Sequence, residues 1–449
     1  MSAGEPRFGT DGVRGIANAE LTPQLALKLG MAAAYVLGQH AADRHVIVGR
    51  DTRLSGDMLE AALNAGLAAM GALVTNVGIV PTPAVGQMVV LSGAAAGAVI
   101  SASHNPYEDN GIKFFGADGK KLSDAVEDEI EAAMDSWETI PRPTGASIGR
   151  IQDSRERVSQ YIARVASTAG APIDGLRLVL DCAHGAAYEI APALFAGLGA
   201  VVHAFYNRPD GVNINVDCGS TKPADMCRQV RETGADAGLA FDGDCDRVMM
   251  CDERGEMVDG DQMMAICALG MKRHGDLAND AVVATVMSNA GLEVALEAAG
   301  IRLIRADVGD RYVAEEMVRS GAVLGGEQSG HLLFPRLTPT GDGMVTGLQV
   351  LAEMRATGKK LSELASVMQS CPQLLHNVRV RSRTGWQDVP EIQQAIAVAR
   401  ASLGRPEWLS VRASGTEPVI RVMAQDTDKV RVETTVNTLC KLIQTHFGE

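Results

Sequence analysis

The chain has 449 residues, which is enough for about two to four domains with separate cores. Apolar residues make up 46% of it and charged residues 21%, as in an ordinary globular protein. Its 41 lysines and arginines stand against 55 aspartates and glutamates, and the resulting net charge of −14 argues against broad binding to nucleic acid. An anionic substrate would therefore need a local cluster of basic residues.

Three features bear on the compartment. Residues Met1–Phe8 carry no apolar run behind a basic start, so we predict no signal peptide. The charge-free segment Ala61–Tyr107 is interrupted by prolines, asparagines and glycines, which favours buried strands and short helices over a membrane span. The eight cysteines are scattered without a Cys-x-x-Cys pair, and this predicts reduced thiols in a cytoplasm without disulfides or zinc.

Strand-like and helix-like segments alternate from Val46 to Gly325, which is typical of β-α-β units with parallel strands. The strands are predicted at Val46–Val48, Leu73–Val80, Gly97–Ser101, Leu178–Asp181, Val201–Tyr206, Gly238–Phe241, Ala281–Met287, Arg302–Arg305 and Ala322–Gly325. The helices are predicted at Asp57–Ala69, Ala186–Leu198, Ala224–Thr233, Asp261–Lys272, Gly291–Ala299 and Asp310–Arg319.

The C-terminal segment has a different pattern, with strands predicted at His376–Arg381, Trp408–Arg412 and Val419–Met423 and helices at Val389–Ser402 and Lys429–His446. We therefore predict an α/β protein. Three similar α/β domains with mainly parallel, mixed sheets occupy residues 1–150, 151–254 and 255–370. A smaller α+β domain occupies residues 371–449.

The segment Ser101–Pro106 follows a buried strand, and in open α/β sheets the carboxyl ends of the strands face the ligand crevice. A serine hydroxyl there, beside His104 and Asn105, is a candidate nucleophile or phosphate carrier. The alternative is a simple turn, because serine, asparagine and proline are turn residues.

The segment Phe241–Arg247 places three carboxylates, Asp242, Asp244 and Asp246, at alternate positions after a strand. Three carboxylates so close together repel one another unless a cation binds them, and hard cations prefer oxygen ligands. We therefore predict a metal site rather than a solvated acidic turn. Arg247 would then bind an anion beside the metal.

Three further loops carry polar and basic groups. Gly325–His331 offers Glu327 and Ser329 to sugar hydroxyls and His331 as a proton carrier. Arg412–Arg421 combines two arginines with a turn rich in donors, which suits a phosphate. Phe8–Gly15 is a glycine-rich loop with Arg14. Each could also be a plain polar loop or hairpin, but together the five loops describe a site for a phosphorylated sugar.

These five loops, taken in order, resemble those of the α-D-phosphohexomutases. The matching segments are Gly9–Gly15, Ser103–Pro106, Asp242–Arg247, Gly326–His331 and Arg412–Pro418. The resemblance covers nearly the whole chain and implies four domains around one central cleft. It is closest to bacterial members that act on glucosamine phosphates.

The resemblance also implies a role for each site residue. Ser103 would be a phosphoserine in the active enzyme, and its phosphate would bind one Mg²⁺ together with Asp242, Asp244 and Asp246. Arg14, Lys113 and Arg247 would stabilise the transferred phosphoryl group, and Lys113 and His331 are candidates for general acid and base. Glu327 and Ser329 would bind sugar hydroxyls. The non-reacting phosphate would be held by Arg412, Ser414, Gly415, Thr416 and Arg421.

The activity implied is the interconversion of glucosamine 6-phosphate and glucosamine 1-phosphate through glucosamine 1,6-bisphosphate, on the route to UDP-N-acetylglucosamine. The alternatives are a phosphomannomutase or phosphoglucomutase of the same family, and a non-catalytic phosphosugar-binding protein. We expect a small phosphosugar as the partner, no nucleic acid, no membrane, and a homodimer as one possible assembly.

Two positions depart from the family pattern. Cys245 stands where the family usually has glycine, so a positive φ at this position would strain the chain. Lys222 stands where the family usually has histidine, and this leaves the role of that position open.

Overall fold

The computed structural model describes residues 5–9, 11–40, 44–414 and 417–448, and within them the strands form four separate sheets that follow one another along the chain. Three mixed sheets with packed helices precede a small antiparallel sheet. The predicted fold class is therefore confirmed. No helix in the described part of the chain is both long enough and apolar enough to cross a membrane.

The first unit contains a mixed sheet whose central strands are buried. Its strands are β1 (Phe8–Gly9), β2 (Gly12–Ile16), β3 (His45–Arg50), β4 (Leu73–Ile79), β5 (Ala96–Ile100), β6 (Asp109–Gly116) and β7 (Arg150–Asp153), and its helices are α1 (Pro23–His40), α2 (Gly56–Ala69), α3 (Thr82–Ser92) and α4 (Asp124–Asp135). The strand order is β1-β2-β6-β5-β3-β4-β7. Strands β5, β3, β4 and β7 run parallel, whereas β6 returns antiparallel beside β5. The connection from β5 to β6 therefore lies at the carboxyl end of β5.

The second and third units repeat this arrangement on a smaller scale. The second contains α5 (Val158–Ala166), β8 (Arg177–Asp181), α6 (Ile190–Gly197), β9 (Val201–Phe205), α7 (Ala224–Thr233), β10 (Ala237–Phe241), β11 (Val248–Asp252) and β12 (Met257–Val258). The third contains α8 (Gly260–His274), β13 (Ala281–Thr285), α9 (Ala290–Ala298), β14 (Arg302–Ala306), α10 (Asp310–Ser320), β15 (Gly325–Gly326), β16 (Leu332–Leu333), α11 (Gly343–Thr357) and α12 (Leu361–Ala365). In each, a parallel core ends in an antiparallel return, β10 to β11 and β15 to β16.

The fourth unit is an antiparallel sheet covered by two helices. It contains β17 (Gln373–Arg379), α13 (Pro390–Ser402), β18 (Leu409–Ala413), β19 (Val419–Gln425) and α14 (Lys429–Phe447), with β19 between β17 and β18. Its predicted α+β pattern is confirmed.

The cores show which units pack into one body. One apolar cluster runs from Val85 on α3 through Phe241 at the end of β10 to Met344 on α11, so it joins the first three units. A second cluster around Trp408, Ile420 and Val436 fills the fourth unit and includes Ala290 of α9, so the fourth unit packs against the third. The loops at the carboxyl ends of β5, β10 and β15 are therefore held on a shared apolar core.

Candidate active site

Ser103 lies in the loop between β5 and β6, and its side chain reaches the second unit. Its hydroxyl donates a hydrogen bond to Oδ2 of Asp242 at 2.7 Å and lies 3.3 Å from Nδ1 of His104. Only 2% of the residue is exposed. The φ of Ser103 is +53°, a left-handed backbone conformation that residues other than glycine rarely adopt. The loop therefore holds one buried hydroxyl against an acidic cluster.

The acidic cluster lies in the tight return from β10 to β11. Asp242, Asp244 and Asp246 are buried, and one ligand oxygen from each lies within 4.8 Å of the others. Within the described part of the chain, Oδ1 of Asp244 and Oδ1 of Asp246 have no hydrogen-bond partner. Burial, together with repulsion from Asp246 and Asp244, raises the pKa of Asp242 well above its usual value. Three crowded carboxylates with unpartnered oxygens fit a hard divalent cation.

Two residues noted in the sequence, Cys245 and Lys222, have very different surroundings in the structure. Cys245 has a φ of +60° and is completely buried, so a residue other than glycine occupies a left-handed position here. The cysteine side chain therefore strains the backbone of the loop, as expected from the sequence if φ at this position is positive. Lys222 is exposed in a turn, and its backbone N–H donates to the carbonyl oxygen of Gly219.

Lys113 places a positive charge directly beside the acidic cluster. It projects from β6, is 2% exposed, and its Nζ lies 3.2 Å from Oδ2 of Asp244 and 3.1 Å from Oδ2 of Asp11. Burial disfavours the charged ammonium, but Asp11 and Asp244 hold the pKa of Lys113 above its usual value. Arg14 on β2 forms an ion pair with the same Asp11. Lys113 and Arg14 therefore lie in one network, in which Lys113 and Asp244 are buried and Arg14 and Asp11 are partly exposed.

Arg247 and Glu327 connect the acidic cluster to the loop after β15. Nε of Arg247 lies 3.8 Å from Asp246, and its Nη2 lies 4.0 Å from Oε2 of Glu327. Ser329 donates its hydroxyl to Glu327 at 3.3 Å, and the N–H of Gly309 donates to the same carboxylate at 3.2 Å. The predicted sugar-binding loop thus lies next to the acidic cluster.

His331 is buried between two carboxylates. Its Nδ1 lies 3.6 Å from Asp246 and its Nε2 lies 3.6 Å from Asp310, while neither nitrogen has a hydrogen-bond partner in the described structure. Burial lowers the pKa of His331, but Asp246 and Asp310 raise it to a net value above the ordinary one. Asp310 in turn bonds Lys121 at 2.7 Å, which joins the first and third units.

The β18–β19 hairpin of the fourth unit pairs two arginines across its strands. Arg412 lies opposite Arg421, and burial together with the Arg421 guanidinium lowers the pKa of Arg412. The Ser414 hydroxyl accepts a bond from the N–H of Glu417 at 3.2 Å, and Arg421 bonds the Glu417 carboxylate at 3.0 Å. An anion between the arginines would relieve their repulsion. Gly415 and Thr416 lie outside the described residues.

The structure therefore joins all the predicted residues of the first three units in one network of contacts. Among the described residues, the hairpin of the fourth unit makes no hydrogen bond or ion pair with this network, and its arginines sense the third unit through the electrostatic influence of Asp307 on Arg412. Sequence analysis missed Asp11, Arg53 and Asn215, which contact the network directly. Only Arg53 carried a usable signal, because Asp51-Thr52-Arg53 follows a buried strand at the same edge as Ser103.

Comparison with known proteins relates each unit to one family. Family models described as phosphoglucomutase/phosphomannomutase alpha/beta/alpha domains I, II and III match residues 5–140, 159–255 and 259–371. The model of the C-terminal domain matches residues 375–442.

Curated relatives match over nearly the full length. The phosphoglucosamine mutase of Moorella thermoacetica is 54% identical and covers 95% of this chain and 96% of its own. That of Desulforudis audaxviator is 50% identical and covers 97% of both chains. Among solved structures, a phosphoglucomutase/phosphomannomutase family protein from Burkholderia thailandensis shares the fold, with a TM-score of 0.80, 24% identity and 97% of each chain covered.

Proposed function

Because the chain belongs to the phosphoglucomutase/phosphomannomutase family, we propose that it interconverts glucosamine 6-phosphate and glucosamine 1-phosphate. The observation that carries the proposal is the buried Ser103 hydroxyl, 2.7 Å from an acidic cluster that fits a divalent cation. Glucosamine is chosen as the sugar because the curated relatives at 50% and 54% identity are phosphoglucosamine mutases.

In the proposed cycle, phosphorylated Ser103 transfers its phosphoryl group to O1 of glucosamine 6-phosphate. The bond from Ser103 Oγ to phosphorus breaks and a bond from O1 to phosphorus forms. The O1 proton passes to a basic group of the site, and the released Ser103 Oγ takes up a proton. Glucosamine 1,6-bisphosphate then turns around in the cleft. In the return step the bond from O6 to phosphorus breaks and a bond from Ser103 Oγ to phosphorus forms. The Ser103 hydroxyl gives up its proton, the O6 oxygen takes up a proton, and glucosamine 1-phosphate leaves.

The residues of this chain supply positioning and positive charge, which are the main needs of phosphoryl transfer. Lys113 is held charged by Asp11 and Asp244, so it suits stabilisation of the negative charge on the transferred phosphoryl group. Arg14 and Arg247 complete the positive side of the site. His331, whose ring nitrogens have no hydrogen-bond partner among the described residues and whose Nδ1 lies 3.6 Å from Asp246, is the proposed proton carrier.

Mg²⁺ is the proposed cation, because three carboxylates give the hard oxygen ligands that it prefers. Asp242, Asp244 and Asp246 would hold it together with a phosphate oxygen on Ser103. When bound, Mg²⁺ would supply positive charge that balances the negative charge of the transferred phosphoryl group. Glu327 and Ser329 face the same region and bind sugar hydroxyls in this proposal.

A comparison of sugars tests the proposed substrate. After priming with the matching bisphosphate, kcat/KM should be higher for glucosamine 6-phosphate than for glucose 6-phosphate or mannose 6-phosphate. A higher value for glucose or mannose would contradict the choice of sugar but keep the mutase mechanism. Absence of turnover with all three primed sugars would indicate a phosphosugar-binding protein without catalysis.

Arg421 is expected to bind the phosphate that does not react. Arg421→Ala removes one charge-assisted contact worth roughly 1.5–3 kcal/mol, so kcat/KM should fall by about 10- to 150-fold. Release of glucosamine 1,6-bisphosphate during turnover should increase, because the intermediate is held less firmly. Measurement of both quantities, with the exposed Arg400→Ala on α13 as the matched control, tests this role.

Two outcomes would contradict the assignment of Arg421. Unchanged kinetics would mean that the β18–β19 hairpin does not bind phosphate. Loss of the phosphoryl group from Ser103 in the variant would place Arg421 at the bond-breaking step.

We also place the protein in the cytoplasm, because all eight cysteines are free thiols. The homodimer stays a prediction.

A further inference from the structure

Two side chains from different units bind the main chain of the Ser103 loop. Nη2 of Arg53 donates to the carbonyl oxygens of Ser103 and Asn105, both at 2.9 Å. Nδ2 of Asn215 donates to the same two carbonyl oxygens at 2.9 and 3.0 Å. Each carbonyl therefore accepts one bond from the first unit and one from the second. We call these four hydrogen bonds the carbonyl clamp.

The Arg53 half of the clamp is built into the first unit. Arg53 is 1% exposed, and its Nε forms an ion pair with Oδ2 of Asp51 at 2.9 Å. Its Nη1 donates to the carbonyls of Pro106 and Asp109, so one guanidinium binds four carbonyls of this loop. A planar guanidinium can do this because its donors have a fixed fork geometry.

The Asp51 carboxylate extends the same support to the serine itself. It accepts the hydroxyl of Ser101 at 2.6 Å, and that hydroxyl accepts the N–H of Ser103 at 2.9 Å. The N–H and the carbonyl of Ser103 are therefore both fixed by one buried ion pair.

The Asn215 half is held by a strained loop of the second unit. Asn215 has a φ of +60°, and its N–H donates to the carbonyl of Ala183 at 3.0 Å. Ala183 and His184 are also left-handed, with φ values of +53° and +49°. Thr52 of the first unit donates to the His184 carbonyl at 2.6 Å. Strained backbone persists where the surrounding structure holds it, and such sites are often functional.

We propose that Arg53 and Asn215 are positioning residues for phosphoryl transfer, which keep Ser103 left-handed so that its Oγ stays directed at Asp242. This inference rests on the proposed function. If Ser103 relaxed to an ordinary φ, its carbonyl would turn away from both donors, and the hydroxyl would turn away from the acidic cluster. The clamp therefore converts a strained conformation into the stable one, and in-line transfer depends on such positioning.

The decisive variant is Asn215→Gly, because glycine keeps the left-handed backbone and removes only the amide. We expect kcat for glucosamine 6-phosphate to fall by roughly 10- to 100-fold. We expect KM to stay within about twofold, because Asn215 bonds the serine loop and not the sugar. Rephosphorylation of dephosphorylated Ser103 by glucosamine 1,6-bisphosphate, followed by intact mass, should slow by the same factor as kcat.

Two further variants separate positioning from general packing. Asn215→Asp keeps the shape and the backbone preference of asparagine but has no donor, so it should lower kcat at least as much as Asn215→Gly. Asn213→Gly is the matched control in the same loop, since its amide bonds the Arg208 carbonyl and does not reach Ser103. Arg53→Lys keeps the positive charge but lacks the planar guanidinium with its several donors, so it should also lower kcat. If the Arg53→Lys variant does not fold, the Asn215 variants alone decide whether the carbonyl clamp positions Ser103.

The outcomes distinguish the clamp from the proposed function. Parental kcat in both Asn215 variants, with an active and phosphorylated parent enzyme, would overturn the clamp alone. A lower thermal midpoint with unchanged kcat would also overturn it, since Asn215 would then only join two units. An inactive parent without phosphate on Ser103 would overturn the proposed function and the clamp with it.

Discussion

Ser103→Ala is expected to reduce mutase turnover to below roughly one-thousandth of the parental rate, because it removes the atom that carries the phosphoryl group. The fold should be kept, since the main chain of the Ser103 loop is held by Arg53 and Asn215, and among the described residues the lost hydroxyl contacts Asp242 and His104. Intact mass should show one phosphoryl group on the parent after priming with glucosamine 1,6-bisphosphate and none on the variant.

The control for this change is Ser92→Ala, which removes a hydroxyl at the end of α3 that bonds only helix carbonyls. It should keep both the activity and the phosphoryl group. Near-parental turnover in Ser103→Ala would show that another group carries phosphate, and the contact between Ser103 and Asp242 would then be structural.

Asp244→Asn is expected to raise the Mg²⁺ concentration needed for half-maximal activity by about 10- to 100-fold, because one anionic ligand becomes neutral. The change also weakens the partners of the carboxylate. Asp244 accepts the hydroxyl of Thr82 at 2.6 Å and lies 3.2 Å from Nζ of Lys113, so the amide would leave the Lys113 charge less balanced. Titration of activity with Mg²⁺, and calorimetry of Mg²⁺ binding, measure the effect.

Asp236→Asn is the matched control for Asp244→Asn, since Asp236 pairs with Arg177 at the edge of the same unit. Its Mg²⁺ dependence should equal that of the parent. If Asp244→Asn also kept the parental Mg²⁺ dependence, the three carboxylates would form a structural turn and not a metal site.

The strands and their loops were predictable where local pattern decides the structure. Predicted strands such as Gly97–Ser101 and Gly238–Phe241 correspond to β5 and β10 because their apolar runs are buried on both faces. Ser103 and the three aspartates follow these strands directly, so each group could be placed from sequence at the carboxyl edge of its own sheet, whereas the contact between the two sheets could not. The predicted strand Ala322–Gly325 was placed too early, since the pairing begins only at Gly325.

Other features depend on contacts between distant segments and leave little local signal. Helix α1 was not predicted because its small apolar residues are buried around much of its surface and give a weak period. The antiparallel strand β11 follows a short turn and lacks the polar alternation of an exposed hairpin. The role of Asn215 arises from its contact with a loop 110 residues away, which no local pattern reports.

The thiol of Cys245 allows chemical labelling to monitor the loop that carries Asp242, Asp244 and Asp246. Cys245 stands between Asp244 and Asp246 in the sequence, and its side chain is completely buried. An alkylating reagent can therefore reach the thiol only when the loop opens. The alkylation rate at this peptide, followed by mass mapping beside the partly exposed Cys371 and Cys440, therefore reports the frequency of that opening. A chain with glycine at this position would carry no such reporter, whereas in this one a slower alkylation of Cys245 in the presence of Mg²⁺ or phosphosugar would show that the ligand protects the loop.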